Sequence, residues 1–391
     1  MPNFIATSLK NLEYPFGDDE AQFLWSAKAG EENLIYTMAK DCEFFITVKG
    51  KKDNYVIKGE KLTRPARLGV LQKALISFRD LNVNAVKSQA IAIKNEKQLQ
   101  AKEFILSDVQ FLDLLQTTKF KRIFVEIGFG SGRHLLYQAR NNPEVLVVGI
   151  EVYKPSCEQV NNLAKDQNLK NIALLNLDAR LVLSLIESNS IEKVFLHFPI
   201  PWEKSEKRRV VSASFAKEVQ RILAVGAKFE LRSDDRGYTD FTIGHFLNLP
   251  DAQIQIYKDR FLEVSSKYED RWVRQNKNIY DMIFTNELDS PKQSLKGDFE
   301  FGNIDKELVA AKFENKIFKG DDYFLHVERL YKKENGDLLI RVAFGSFYRP
   351  EHCYILITPN EANYFIKKPL LTSENLKAHE CLREYLTCKI S

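Results

Sequence analysis

The chain has 391 residues, 44% of them hydrophobic and 28% charged, with a net charge of +4 and a pI near 8.5. It is long enough for two or three domains with their own cores, and too weakly basic to coat nucleic acid by charge alone, so a polyanion would meet one focused patch. Five cysteines with neither a CxxC pair nor zinc spacing, an N-terminus without an apolar leader, and no apolar run of about 18 residues argue against a disulfide scaffold, a structural metal, a signal peptide and a membrane span, and predict a reducing, cytoplasmic setting.

In chain order, Glu43–Lys49 and Tyr55–Lys58 are short β-like runs joined by Gly50-Lys51-Lys52-Asp53-Asn54, a hairpin pattern. Leu68, Leu71, Leu75 and Phe78 recur at helical spacing. The polar stretch Asn82–Lys102 reads as a linker or a loose helix, and residues 1–115 together as an α+β extension. Residues 116–290 alternate apolar runs with amphipathic segments. The predicted strands are Arg122–Ile127, Val145–Ile150, Ile172–Asn176, Lys193–His197, Lys228–Leu231, Gln253–Tyr257 and Ile279–Phe284. This βαβα order predicts an α/β, Rossmann-like, mostly parallel sheet of seven strands. Asn286–Lys296, with Pro291, reads as a linker. Residues 300–391 form a β-rich α+β module: Tyr323–Lys332 and Leu338–Phe347 flank Asn335-Gly336, a pair suited to the positive φ angles of a type I′ turn. Tyr354–Thr358 offers a third strand there and Glu374–Thr387 a final helix.

The densest signal is Phe124-Val125-Glu126-Ile127-Gly128-Phe129-Gly130-Ser131-Gly132, an apolar strand running into a glycine turn and a helix. Gly128, Gly130 and Gly132 let a ligand approach the main chain. Glu151 follows the second strand, where a carboxylate can accept both hydroxyls of a ribose, and Asp178 follows the third, where an adenine amino group can be read. A dinucleotide or S-adenosylmethionine would suit such a turn. Glu126 beside it favours the second, because an acid disfavours a pyrophosphate and suits a sulfonium with an α-ammonium. The fourth strand leads into Phe198-Pro199-Ile200-Pro201-Trp202 and then Glu203-Lys204-Ser205-Glu206-Lys207-Arg208-Arg209. A proline-rigid turn, an aromatic face and a cation run at the lip of a cofactor pocket suit a nucleic acid, with Lys204, Lys207, Arg208, Arg209 and Arg236 as candidate phosphate contacts.

The same residues resemble the bacterial tRNA (guanine-N7)-methyltransferases. Glu126–Gly132, Gly149–Tyr153, Phe198-Pro199-x-Pro201-Trp202, Lys207–Arg209, Ser233-Asp234 with Tyr238, Ser266–Arg271 and Ile279–Asp281 stand in that family's order, across residues 115–287. The resemblance implies a class I methyltransferase fold, S-adenosylmethionine as cofactor and a tRNA variable-loop guanine as substrate. It implies Glu126, Glu151 and Asp178 as cofactor ligands, Lys204, Asp234 and Ser266 as substrate contacts, and Glu269 near the guanine. One departure stands in the proline turn, where Ile200 replaces the family's aspartate. N7 carries an in-plane lone pair and needs no general base, so Asp234 or Glu269 is expected to stabilise the developing charge. Two other readings are a Rossmann-like methyltransferase acting on another RNA or a small molecule, and a non-catalytic RNA-binding relative. His197, at the end of the fourth strand, reads as a packed residue rather than a base, and His134, in the first turn of the glycine-loop helix, as a surface or packing residue ahead of a cofactor contact.

Overall fold

Val145–Ile150, buried at every position, has the continuous apolar character of a strand covered on both faces, and it lies inside a parallel sheet. The computed structural model describes the chain except residues 1, 11, 12, 52, 66, 92–102, 204, 265–268, 270–273, 294, 296, 348, 360 and 388–391, and the side chains of Lys51 and Lys207. The chain divides into two units, Gln100–Ser294, and Met1–Leu99 with Leu295–Ser391.

The strands of the unit Gln100–Ser294 are β1 (Ile105–Leu106), β2 (Arg122–Ile127), β3 (Val145–Ile150), β4 (Ile172–Leu175), β5 (Ile191–His197), β6 (Leu223–Ser233), β7 (Gln253–Lys258) and β8 (Tyr280–Thr285). They form one sheet in the order β7-β8-β6-β5-β2-β3-β4-β1, in which β1 to β6 pair in parallel and β8 pairs antiparallel with β6 and β7. The sequence predicts seven strands; the eighth is β1, a two-residue edge too short to carry a periodic signal. Helices α1 (Asp108–Thr117), α2 (Arg133–Asn141), α3 (Lys154–Asp166), α4 (Ala179–Leu183), α5 (Ala213–Ile222) and α6 (Arg236–Leu247) lie between strands. Ser107, Ser212 and Asp235 cap α1, α5 and α6, accepting from Gln110, Phe215 and Tyr238 amides. Alternate side chains of the parallel strands fill two cores: Val125, Ile127, Val148 and Leu231 in one, Phe124, Val147, Leu174 and Phe195 in the other.

The other unit is an antiparallel sheet of twelve strands. The predicted hairpin spans Cys42–Lys51 and Asn54–Gly59, and Asn335-Gly336 joins Tyr323–Lys333 to Leu338–Ser346. The two terminal segments share this sheet, because Lys332 and Lys333 pair with Lys28 and Ala27. Asn82–Lys102 departs from its sequence reading: Val83–Ala90 is a strand, and the rest, from 92, lies outside the described residues. Only Val83 of that strand is buried, so the alternation that marks a half-buried strand is missing. Leu68–Asn82 is the expected helix, burying Leu71, Leu75 and Phe78. Among the described residues no helix is long and apolar enough to cross a membrane.

Candidate active site

Strands β2, β3 and β4 end side by side. Glu126 is in register with Gly149, Ile150 with Leu175, and the Glu151 amide donates to the Leu175 carbonyl at 3.0 Å. Glu126, Glu151 and Asp178 therefore stand at the C-terminal tips of three adjacent parallel strands, the edge at which open α/β sheets hold ligands. The glycine turn is tied to the same edge: Gly128 N donates to Ile150 O at 2.8 Å, and Gly130 N to the Glu151 carboxylate at 3.1 Å. Gly128, Gly130 and Gly132 have φ of 70°, 51° and 72°, a left-handed backbone that favours glycine. A Cβ built on Gly128 meets nothing within 4 Å, so the main chain lies open there, whereas one on Gly132 strikes Val160 of α3 at 2.3 Å. Asp178 caps α4 through the Arg180 amide and pairs with the Arg180 guanidinium at 2.6 Å.

Glu126 is buried. Its Oε2 meets Nδ1 of His134 at 2.8 Å, and its Oε1 takes no hydrogen bond among the described residues. His134 is also buried and faces the sheet edge through Glu126, a contact the sequence does not announce. Its ring lies 4.5 Å from that of His197, at the end of β5.

The proline turn leaves β5 with φ of 49° at Phe198 and 42° at Trp202, sparsely populated values for residues with a Cβ. Phe198 N donates to Arg232 O at 2.7 Å, and Arg209 Nε donates to Pro201 O at 2.8 Å. Arg209 is buried against Phe241 and pairs with Glu206, so it braces the turn from within. Arg208 instead stacks its guanidinium on Trp202 at 4.9 Å beside an open hollow of about 380 Å³ lined by Ile200, Pro201 and Ser205. Arg236 is exposed, 3.4 Å from Asp240. Lys204 and Ser266 lie outside the described residues.

Under the tips of β5, β6 and β8 runs a chain of ion pairs. His197 Nε2 is 3.2 Å from Glu230; Arg260 reaches Glu230 at 3.2 Å and Asp281 at 2.9 Å; Arg232 reaches Asp281 at 2.5 Å and grips Glu269 at 2.6 and 2.8 Å. Burial opposes ionisation of Glu230, but His197 and Arg260 outweigh it and hold the carboxyl down at about 2. Burial dominates at Asp281 and raises its pKa despite both guanidinium groups. Asp234, just past β6, pairs with Lys277 at 2.7 Å. Both candidate catalytic carboxylates, Asp234 and Glu269, are thus attached to the end of β6, one by sequence and one through Arg232. Among the described residues no His, Cys, Asp and Glu cluster suits a metal ion.

A family model described as a putative methyltransferase matches residues 121–282, the stretch from β2 to β8. The class is thereby given: a methyltransferase built on a mixed α/β sheet. The tRNA (guanine-N(7)-)-methyltransferase of Campylobacter fetus subsp. fetus is 66% identical, with 100% of both chains covered. That of Helicobacter pylori is 35% identical, covering 100% of this chain and 99% of its own. Among solved structures, an antibiotic related methyltransferase aligns with 50% of this chain and 98% of its own at 15% identity and a TM-score of 0.36. The chain belongs to the tRNA (guanine-N(7)-)-methyltransferase family. Its methyl donor is S-adenosylmethionine. The residues fit that cation: the Glu126 carboxyl has one oxygen uncommitted among the described residues, and the glycine turn leaves open space above Gly128.

Proposed function

We propose that the chain methylates N7 of the variable-loop guanine of tRNA at conventional position 46, with Glu126, Glu151 and Asp178 holding the donor. The observation that carries this reading is the trio of carboxylates at three adjacent strand tips beside the glycine turn. When bound, S-adenosylmethionine supplies an electrophilic methyl group on a sulfonium. Glu126 attracts its ammonium, Glu151 accepts from the ribose hydroxyls, and Asp178 accepts from the adenine amino group. The N7 lone pair attacks without prior deprotonation, so the protein's task is alignment, which supplies up to about 7–11 kcal/mol. Asp234 and Glu269 place negative charge near the base as it becomes cationic. Arg208 on Trp202 contacts the tRNA backbone, together with Lys204, Asp234 and Ser266. The enzyme works in the cytoplasm.

Mapping of N7-methylguanine in tRNA from cells lacking the protein tests this. Loss at one variable-loop position, restored by the wild-type chain and by neither Asp234→Ala nor Glu269→Ala, is the expected result. Unchanged methylation in the deleted strain refutes the function, and full rescue by both variants refutes the assignment of these two carboxylates.

A further inference from the structure

Helix α2 carries a polar ladder at i, i+4 and i+8: His134, Gln138 and Asn142, the last being the helix C-cap. Asn142 Nδ2 donates to the backbone carbonyl of Gln138 at 2.9 Å and to Gln138 Oε1 at 3.2 Å. A carbonyl only accepts, which fixes the Asn142 amide orientation. Gln138 must then turn its oxygen to Asn142 and its NH₂ to His134 Nε2, 2.9 Å away. Nε2 is consequently an acceptor, and the single ring proton sits on Nδ1, donated to Glu126 at 2.8 Å.

We propose that Asn142, Gln138 and His134 form a positioning relay that keeps His134 as the neutral Nδ1–H tautomer, so that Glu126 meets the donor's ammonium as an aimed and uncompensated carboxylate. The proposal rests on Glu126 being a ligand of the donor. His134 is not itself a ligand; it acts through Glu126.

The relay has a second state. An imidazolium needs an acceptor at Nε2, which Gln138 provides only by turning its amide and breaking its bond to Asn142. Burial disfavours that charge, yet Glu126 more than offsets the penalty and moves the His134 pKa above its usual value. The other groups facing the ring are His197 on β5, Glu230, which favours the charge, and Arg232, which opposes it. In the protonated state His134 already neutralises Glu126, and a cationic ligand loses its attraction. Binding of the donor therefore expels a proton from His134, and donor affinity rises with pH through the His134 pKa.

The test uses the full chain. Nitrogen chemical shifts of His134 in the ligand-free protein report tautomer and pKa, and calorimetry with S-adenosylmethionine in buffers of different ionisation enthalpy counts the protons released. Three results are expected. Wild type shows the Nδ1–H tautomer at high pH and net proton release near the His134 pKa. Asn142→Ala, which frees the Gln138 amide to turn, raises the His134 pKa. Gln138→Glu, which sets a carboxylate against Nε2, holds His134 charged at pH 7.5 and weakens donor binding about tenfold or more, the loss expected for one charge-assisted hydrogen bond. Gln138→Leu serves as a neutral check, with weaker donor binding and no gain in His134 pKa. An Nε2–H tautomer in wild type, or equal proton release and affinity in wild type and Gln138→Glu, overturns the relay while leaving the donor site intact. A wild-type chain that does not bind S-adenosylmethionine overturns the donor site itself, and the relay with it.

Discussion

Replacing Arg232 with methionine tests whether the ion-pair chain under the strand tips is a structural unit. Arg232 is 1% exposed and bonds three carboxylate oxygens, two on Glu269 and one on Asp281. Methionine keeps the apolar volume of the side chain and removes the charge. Asp281 retains Arg260 at 2.9 Å, but Glu269 loses its bidentate partner in a buried place. Removing one partner of a buried pair costs about 3–5 kcal/mol, because the remaining charge stays desolvated. Burial already raises the Asp281 pKa, and loss of Arg232 raises it further, so the folded variant binds a proton that the unfolded chain releases, and its deficit shrinks as pH falls. Urea unfolding at pH 7.5 and 5.5 measures both effects, and hydrogen exchange in peptides spanning Leu223–Ser233 and Tyr280–Thr285 assigns the transition to this sheet. A loss under about 1 kcal/mol at pH 7.5, below any cost expected of a broken buried pair, refutes the reasoning. So does a loss that grows on acidification.

Glu230→Gln should cost up to about 3 kcal/mol at neutral pH, from a carboxyl moved from 4.5 in the unfolded chain to about 2 in the fold. That stability is present above pH 4.5 and is lost as pH falls towards 2, so acid titrations of the two proteins should converge near pH 2. Gly132→Ala should lose about 2–4 kcal/mol in urea unfolding, combining left-handed backbone strain with the clash on Val160, whereas Gly128→Ala, strained but unobstructed, should lose about 1 kcal/mol. Arg208→Ala should lower the salt slope of tRNA binding by about one while leaving stability within about 0.5 kcal/mol. Arg209→Ala should leave that slope unchanged and cost about 1–3 kcal/mol, since the Pro201 carbonyl loses its donor.

The parallel core was legible because β2 to β5 are apolar runs set at βαβα spacing, and the three carboxylates were legible because each lies at or just past the end of such a run: Glu126 one residue before the end of β2, Glu151 directly after β3 and Asp178 three residues after β4. What stayed hidden depends on pairing between distant residues. The alternation Lys228-Phe229-Glu230-Leu231-Arg232 does show that Glu230 and Arg232 share a face of β6, and Asp281 interrupts an otherwise apolar strand. Nothing in the one-dimensional pattern says that β8 runs antiparallel beside β6, which brings Asp281 opposite Arg232. His134 illustrates the same point. At helical spacing it is one more residue of an amphipathic stretch, and only the register of β2 against β5 puts Glu126 and Phe195 beside each other beneath its ring. Arg209 lay in a cation run that reads as solvent-facing until the turn folds back over Phe241. In the other unit, Asn3–Leu9, Gln22–Ala29 and Glu32–Ala39 carry too many polar or small residues for a clean period of two, and their strand character comes from neighbours in the sheet.

The isoleucine in the proline turn bears on the charge of the lip and not on its shape. Residue 200 is 65% exposed, and the turn is shaped by main-chain bonds, from Phe198 N to Arg232 and from Arg209 to Pro201, which are indifferent to its side chain. Exchanging an acid for Ile200 therefore leaves the geometry of the lip in place and changes its charge. Arg208, stacked on Trp202, has no carboxylate at position 200 beside it, which favours the backbone contact proposed for it. In the function proposed above, the field that stabilises a cationic base comes from deeper groups. Asp234 is partly compensated by Lys277, and Glu269 by Arg232. In the donor site proposed above, the charge that meets the cation is that of Glu126, whose hydrogen-bond partner among the described residues, His134, can itself gain a proton. On that proposal, with an isoleucine at the lip, the electrostatics of the donor pocket are set from the glycine-turn helix.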